Sequence, residues 1–218
     1  MRSARVSIGS WEEPKMVGGV VKGLWNIVLS GYPRAGKTML AQRLVAEKQC
    51  FARVGVDELR KMLFNSGYPC RDEFLVYSMI GEMRDALLKL GYSVVIDSTA
   101  PFNVTRQFLL TTRIKPVNPL LVIVSADRPM LLQRTMEKFG DSAAVLAYDK
   151  RWEGPDSGFP VFKFRSGSAE EFDAYYARLT ELLESEIHPF KPEFHTALLS
   201  TNDIRKALKS FISKRAQR

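Results

Sequence analysis

The sequence predicts an α/β fold, with a five-stranded, mostly parallel sheet carrying helices on both faces. Three observations predict it. Apolar runs of strand length alternate with longer segments of helical period along the chain. The strand runs are continuously apolar, as in Leu120-Leu121-Val122-Ile123-Val124, which is the pattern of a sheet covered on both sides. One strand-to-helix junction reads Gly31-Tyr32-Pro33-Arg34-Ala35-Gly36-Lys37-Thr38, a complete G-x-x-x-x-G-K-[ST] phosphate-binding loop (P-loop) of the NTPase type.

The elements follow in chain order. Residues 1–23 carry Gly18, Gly19 and Gly23 with no clear period and form an N-terminal segment ahead of one domain over 24–218. Residues 24–29 are the first strand. Met39, Leu40, Leu44 and Val45 lie at helical spacing after the loop, in a helix that runs to about Lys48. Residues 51–56 form a short strand and 57–64 a short helix that Asp57 could cap, before a turn at Gly67-Tyr68-Pro69. Leu75, Met79, Met83, Ala86, Leu87 and Leu90 make one apolar stripe, read as the core face of a long helix that Gly91 terminates. A buried strand over 93–96 ends in Asp97, residues 101–113 are helical, and 120–124 form the next strand. Pro129 opens a helix that runs to Lys138. The less regular stretch 139–166 contains Gly154-Pro155-Asp156-Ser157-Gly158-Phe159-Pro160, and residues 134–160 together read as a basic lid region. Phe172, Tyr175, Tyr176, Leu179, Leu182 and Leu183 mark a long amphipathic helix. Residues 194–199 are expected to be the last strand, with Thr201 or Asn202 capping a terminal helix.

Composition excludes several classes. The 218 residues are 45% hydrophobic and 26% charged, enough to bury a substantial core in one domain. No apolar run reaches membrane-spanning length, and Met1-Arg2-Ser3-Ala4-Arg5 is not followed by a secretory apolar region. Cys50 and Cys70 form no C-x-x-C, which fits a reducing cytoplasm and argues against a zinc site. With His188 and His195 the only histidines, imidazole metal ligation or a His-based triad is not expected. The expectation is therefore a cytoplasmic protein with no membrane partner; its oligomeric state is not legible. The net charge of +8 and pI near 9.5 favour a polyanionic partner, nucleic acid being the usual one. Arg205, Lys206, Lys209, Lys214, Arg215 and Arg218 hold part of that excess, and a solvated basic helix face is the alternative reading.

The candidate chemistry gathers at strand ends, where sheets of this kind bind ligands. The loop aims successive backbone N–H groups and a helix dipole at an anion. Lys37 can then reach the β- and γ-phosphates, and the Thr38 hydroxyl can join a Mg²⁺ shell. Gly31, Tyr32, Pro33, Arg34, Ala35, Gly36, Lys37, Thr38 and the adjoining Met39 are thus the expected contacts of ATP, or of GTP in its place. Asp57 follows the second strand as a candidate general base, and Arg60, one helical turn on, as a grip for an acceptor phosphate. An N-cap and a surface ion pair are the plainer readings of the two. Asp97 ends its strand in the pattern of a Walker-B carboxylate, to hold Mg²⁺ through water or to orient the acceptor; a cap for Ser98-Thr99 is the alternative. Arg134 and Lys138 share a face of the lid helix and are candidates to close over the γ-phosphate, with solvated charge as the alternative.

On these residues the chain resembles the small P-loop kinases typified by the kinase domain of polynucleotide 5′-kinase, which zeta-type toxins and several small-molecule kinases also resemble. The likeness rests on the loop 31–38, on Val56-Asp57-Glu58-Leu59-Arg60, and on Val94-Val95-Ile96-Asp97-Ser98-Thr99 with Arg106 nine residues beyond its Asp. Arg134-x-x-x-Lys138 and Arg151-Trp152-Glu153-Gly154-Pro155 add a weaker element. The resemblance implies that Asp57 is the general base, that Lys37 and Thr38 hold ATP·Mg²⁺ and that Arg134 belongs to the lid. In the polynucleotide branch it implies that Arg60 touches the acceptor phosphate, and it places Arg106 among the substrate-binding candidates. Two positions depart from the family pattern: Ala100 stands where Asn often follows the Asp-x-Thr element, and Lys138 where arginine is common. The expected activity is transfer of the γ-phosphate to a hydroxyl, first a nucleic-acid 5′-hydroxyl. Alternatives are a sugar, nucleoside or nucleotide-sugar acceptor, or an NTPase or nucleotide-dependent interaction module without kinase activity.

Overall fold

A computed structural model describes residues 23–185 of the chain except Tyr68, Cys70 and Ser157. Five strands, β1 (Leu24–Ser30), β2 (Phe51–Gly55), β3 (Ser93–Asp97), β4 (Val117–Ser125) and β5 (Val161–Arg165), form one sheet in the order β2-β3-β1-β4-β5. Every pairing is parallel. Among the described residues six helices connect them, α1 (Lys37–Glu47), α2 (Val56–Phe64), α3 (Glu73–Lys89), α4 (Asn103–Leu110), α5 (Arg128–Phe139) and α6 (Ala143–Asp149), and α7 (Ala169–Glu184) follows β5.

The sheet separates two cores because alternate residues of each strand point to opposite faces. Ile27, Leu29, Val122 and Val124 meet Leu40 and Leu44 of α1 and Phe172, Tyr176 and Leu179 of α7. Val28, Val94 and Ile96 meet Leu59 of α2, Val76 and Ile80 of α3 and Leu109 of α4. At the sheet centre, Asn26 is fully buried and donates through Nδ2 to the carbonyls of Leu109 and Leu110, closing the end of α4.

Two expectations are corrected, and others fall on residues that the structure does not describe. The stretch 139–166 is not irregular throughout: it holds α6 and the edge strand β5, so the fifth described strand comes before α7. The expected strand 194–199, the terminal helix with its Thr201 or Asn202 cap, and nearly all of the segment 1–23 lie outside the described residues. The buried face of α3 is Val76, Tyr77, Ile80, Arg84 and Leu88, while Leu75, Met83 and Leu90 face outward. The helical period is as expected; its phase is one position off. Gly81 supports the observed phase, since a Cβ there would meet the Phe108 ring at 3.3 Å.

Candidate active site

The carboxyl ends of β1, β2 and β3 open onto one crevice, as the strand order requires. The phosphate loop spans β1 to α1 and needs glycine at two places. Gly31 has φ 146°, and a Cβ on it would lie 2.1 Å from the Val124 carbonyl oxygen. Gly36 has φ 89° and packs against Ser166, whose hydroxyl donates to the Ala35 carbonyl at 2.6 Å. Lys37 begins α1 and is 7% exposed, with Nζ donating to Gly31 O at 3.0 Å and Tyr32 O at 2.7 Å. Burial pulls its pKa down to about 8, against the upward pull of the Asp97 and Asp57 carboxylates. Thr38 is exposed on the first turn, and so is Met39.

Asp57 stands at the crevice in the first turn of α2, where its charge suits the helix dipole. It is not the N-cap: Gly55 holds that place with no side-chain cap. Asp57 Oδ1 accepts from Arg60 Nη1, and Oδ2 has no partner among the described residues. Desolvation by the crevice wall raises its pKa, Arg60 opposes that, Asp97 adds to it, and Lys37 opposes it. With 59% of the side chain exposed, solvent screening keeps the net push modest.

Arg60, the candidate grip for an acceptor phosphate, is engaged by two carboxylates. The side chain is 6% exposed, and Glu73 at the start of α3, 5% exposed, takes its fork: Nε to Oε1 at 3.0 Å and Nη2 to Oε2 at 2.7 Å. Burial works against this cation, but the Glu73 hydrogen bonds more than offset it and raise the pKa overall. Asp97, 7% exposed at the end of β3, accepts on Oδ2 from Arg53 Nε at 3.2 Å and Nη2 at 2.6 Å. Arg53 also donates to Glu58.

Arg106, a substrate-binding candidate, is buried and engaged by main-chain and side-chain acceptors. It is 2% exposed and donates to Ser30 Oγ, to Asn103 Oδ1 and to the Ala100, Pro101 and Glu153 carbonyls. Its guanidinium also lies 4.3 Å from the Trp152 ring centroid. Segment 148–154 of the expected lid is thereby tied to the β3–α4 connection. Tyr148 packs on Tyr32 with ring centroids 4.5 Å apart and donates to Thr99 O at 2.7 Å, and Tyr32 donates to Asp149 at 2.8 Å. Asp149 also accepts both Nη groups of Arg128, which with Tyr32 holds it below the usual carboxylate range.

Arg134 lies where α5 meets the loop. Its Nη2 donates to Ser166 O at 3.1 Å and Gly167 O at 3.4 Å, and its Nη1 to Arg34 O at 3.5 Å. Lys138, one turn on, is exposed and has no partner among the described residues. The structure thus brings Lys37, Asp57, Asp97 and Arg60 together on one side of the loop and Arg34 and Arg134 on the other. Glu73, Arg53, Tyr148 and Ser166 are the positions that sequence reasoning missed. They meet the site only through the fold and carry no local motif.

Among the described residues no group of three or more His, Cys, Asp or Glu could hold a metal. Mg²⁺ generally combines one or two protein oxygens with phosphate oxygens and water. The Thr38 hydroxyl and Asp97 Oδ1 have no partners among the described residues and are the oxygens that would hold it.

With this geometry in place, the sequence profile of the AAA domain family matches residues 27–152, from β1 through the loop and α6 to Trp152. The chain belongs to the AAA domain family. No curated protein matches it by sequence. Within the fold of this AAA domain, solved structures of small kinases superpose over nearly their whole length. A gluconokinase from Sinorhizobium meliloti 1021 gives a TM-score of 0.53 at 21% identity, covering 77% of this chain and 98% of that one. A sugar kinase from Janibacter sp. HTCC2649 gives 0.55 at 17% identity, covering 76% and 99%. The APS kinase CysC of Mycobacterium tuberculosis, solved with AMPPNP and APS, gives 0.54 at 18% identity, covering 75% and 98%. These likenesses establish the P-loop kinase fold for the AAA domain described here. Among its described residues, no helix is long and apolar enough to cross a membrane.

Proposed function

We propose that the protein is an ATP-dependent kinase of the cytoplasm that transfers the γ-phosphoryl group to a hydroxyl acceptor. The observation that carries this reading is the pairing of a phosphate loop with Asp57, whose Oδ2 has no partner among the described residues beside the Lys37 ammonium. A loop alone binds nucleotide; a carboxylate with a free oxygen in the same crevice can orient a hydroxyl.

In the proposed step, Lys37 leaves the Gly31 and Tyr32 carbonyls for the β- and γ-phosphates. The acceptor oxygen attacks the γ-phosphorus in line, its proton passes to Asp57 Oδ2, the bond to the bridging oxygen breaks and ADP leaves. Mg²⁺, when bound at Thr38 and Asp97, supplies neutralisation of phosphate charge. Lys138, exposed one turn beyond Arg134, is the candidate to close above, and Arg134 can join it only by releasing the Ser166 and Gly167 carbonyls.

Two acceptor classes have specific support. The net charge of +8 supports a nucleic-acid 5′-hydroxyl. The engagement of Arg60 by Glu73 and Asp57 favours a small hydroxyl compound, because the guanidinium expected to grip an acceptor phosphate is already bound. A screen with γ-labelled ATP over 5′-hydroxyl DNA and RNA, nucleosides and sugars separates them. Asp57→Asn is expected to lower transfer at least a hundredfold while ATP affinity changes less than threefold. Equal transfer by the variant would overturn the mechanism proposed for Asp57, and transfer to no acceptor by the native protein would leave an NTPase or nucleotide-dependent interaction module. Because Asp57 must be ionised to take the proton, the rate should fall as the pH is lowered through a pKa above the ordinary carboxylate value.

A further inference from the structure

Phosphoryl transfer gains most from a cation held against the γ-phosphoryl oxygens, and the arginines already placed at the crevice are all committed. Arg53 holds Asp97 and Glu58, Arg60 holds Glu73 and Asp57, and Arg128 holds Asp149. Arg134, the expected lid arginine, donates to three main-chain carbonyls. Arg34 is the exception. It is exposed inside the phosphate loop; among the described residues its only side-chain hydrogen bond as a donor runs from Nε to Arg134 O at 3.3 Å, and both Nη groups lack partners.

The backbone of Arg34 is the second, independent observation. With φ 65° it occupies the left-handed region, where glycine sits freely and a side chain is disfavoured. Nothing in the local packing requires an arginine there: the single side-chain bond, to a carbonyl at an exposed site, does not compensate for the conformation. Strain retained at a binding loop points to a use for the side chain. The Nε contact turns the guanidinium toward α5, and the stem starts inside the phosphate-binding motif.

We propose that Arg34 is a catalytic residue: its guanidinium, carried by the phosphate loop itself, contacts the γ-phosphoryl oxygens and takes the part expected of Arg134. The inference rests on the kinase reading for its chemical step. In that step Arg34 transfers no proton. It stabilises charge on the γ-phosphoryl oxygens while the bond to the leaving ADP breaks and the bond to the acceptor oxygen forms. Arg134 is then the residue that frames the loop from α5, its own carbonyl orienting Arg34 Nε.

Arg34→Gly in the full chain tests this, because glycine relieves the backbone and removes only the side chain. Three readings are taken: thermal midpoint, calorimetric affinity for ADP and for a non-hydrolysable ATP analogue, and γ-phosphoryl transfer to the best acceptor of the labelled screen. The expected result is an unchanged or higher midpoint, a loss of at least tenfold in preference for the ATP analogue over ADP, and a transfer rate at least tenfold lower. Arg34→Lys, which keeps the charge without the fork, should recover part of both losses. A variant with unchanged nucleotide preference and rate overturns the proposal. So does a lower midpoint with both values kept, which would make Arg34 only a tie to α5. If the native protein transfers phosphate to no acceptor, the kinase reading fails, and the nucleotide preference and midpoint still decide whether Arg34 meets the γ-phosphate.

Discussion

Lys37 shows how one buried charge prepares the site for its ligand. Its ammonium donates to two carbonyls, and burial, against the upward pull of the Asp97 and Asp57 carboxylates, holds the pKa at about 8. Next to phosphate oxygens the charged form gains, so the pKa must rise on binding. The sign follows directly. At pH 9 the free protein carries Lys37 about nine-tenths neutral, and the bound protein carries it charged, so binding takes up a proton. Calorimetric titration with ATP in buffers of different ionisation enthalpy should show uptake approaching one proton near pH 9 and little at pH 6.5. Lys37→Met should abolish the difference while weakening binding. Uptake unchanged in that variant would place the titrating group elsewhere.

At the scale of elements, Arg106 ties the start of its own helix α4, through Asn103, and the β3–α4 connection, through Ala100 and Pro101, to two pieces of chain distant in sequence: β1 through Ser30 and the segment after α6 through Glu153. Arg106→Met keeps the volume and removes every donor. Leaving these buried acceptors unpaired should cost on the order of 3 kcal/mol. For a chain of this length that lowers the thermal midpoint by roughly 10 °C. A variant with its native midpoint and a raised acceptor KM would return Arg106 to the substrate. The same scale shows what a sequence can carry. The β1–loop–α1 unit is legible because its glycines and lysine are dictated by geometry within eight positions of one another. Asp57 and Asp97 are legible because a charge that ends an apolar strand stands out. β5 is not legible: Val161-Phe162-Lys163-Phe164-Arg165 alternates, as an edge strand with one wet face must, and it follows a run rich in glycine and proline. The phase of α3 is ambiguous because two neighbouring stripes are both apolar, and contact with Phe108 chooses between them. Glu73 and Arg53 meet their partners across 13 and 44 positions, distances at which no local pattern reports a contact.

For the whole molecule, the uneven spread of charge bears on the acceptor. Seven lysines and arginines but only three acids fall in residues 186–218, so half of the +8 lies in this stretch, outside the described part of the fold. The crevice itself is close to balanced, with Arg53 and Arg60 each set between two carboxylates. A nucleic acid attracted by net charge would therefore be held chiefly by the C-terminal residues, and only its 5′ end would enter the crevice. Counterion release makes such binding steeply dependent on salt, with a slope of about −0.7 per phosphate contact for a single strand. Replacing Arg205, Lys206, Lys209 and Lys214 by glutamine in the full chain should flatten that slope for a 5′-hydroxyl oligonucleotide by about 3, if all four meet phosphates. Transfer to a nucleoside or sugar in the same variant should be unchanged. Fluorescence anisotropy across a salt series measures the slope. If the slope keeps its native value, these residues are a solvated surface, and the acceptor is a small hydroxyl compound, in line with the Arg60–Glu73 pair.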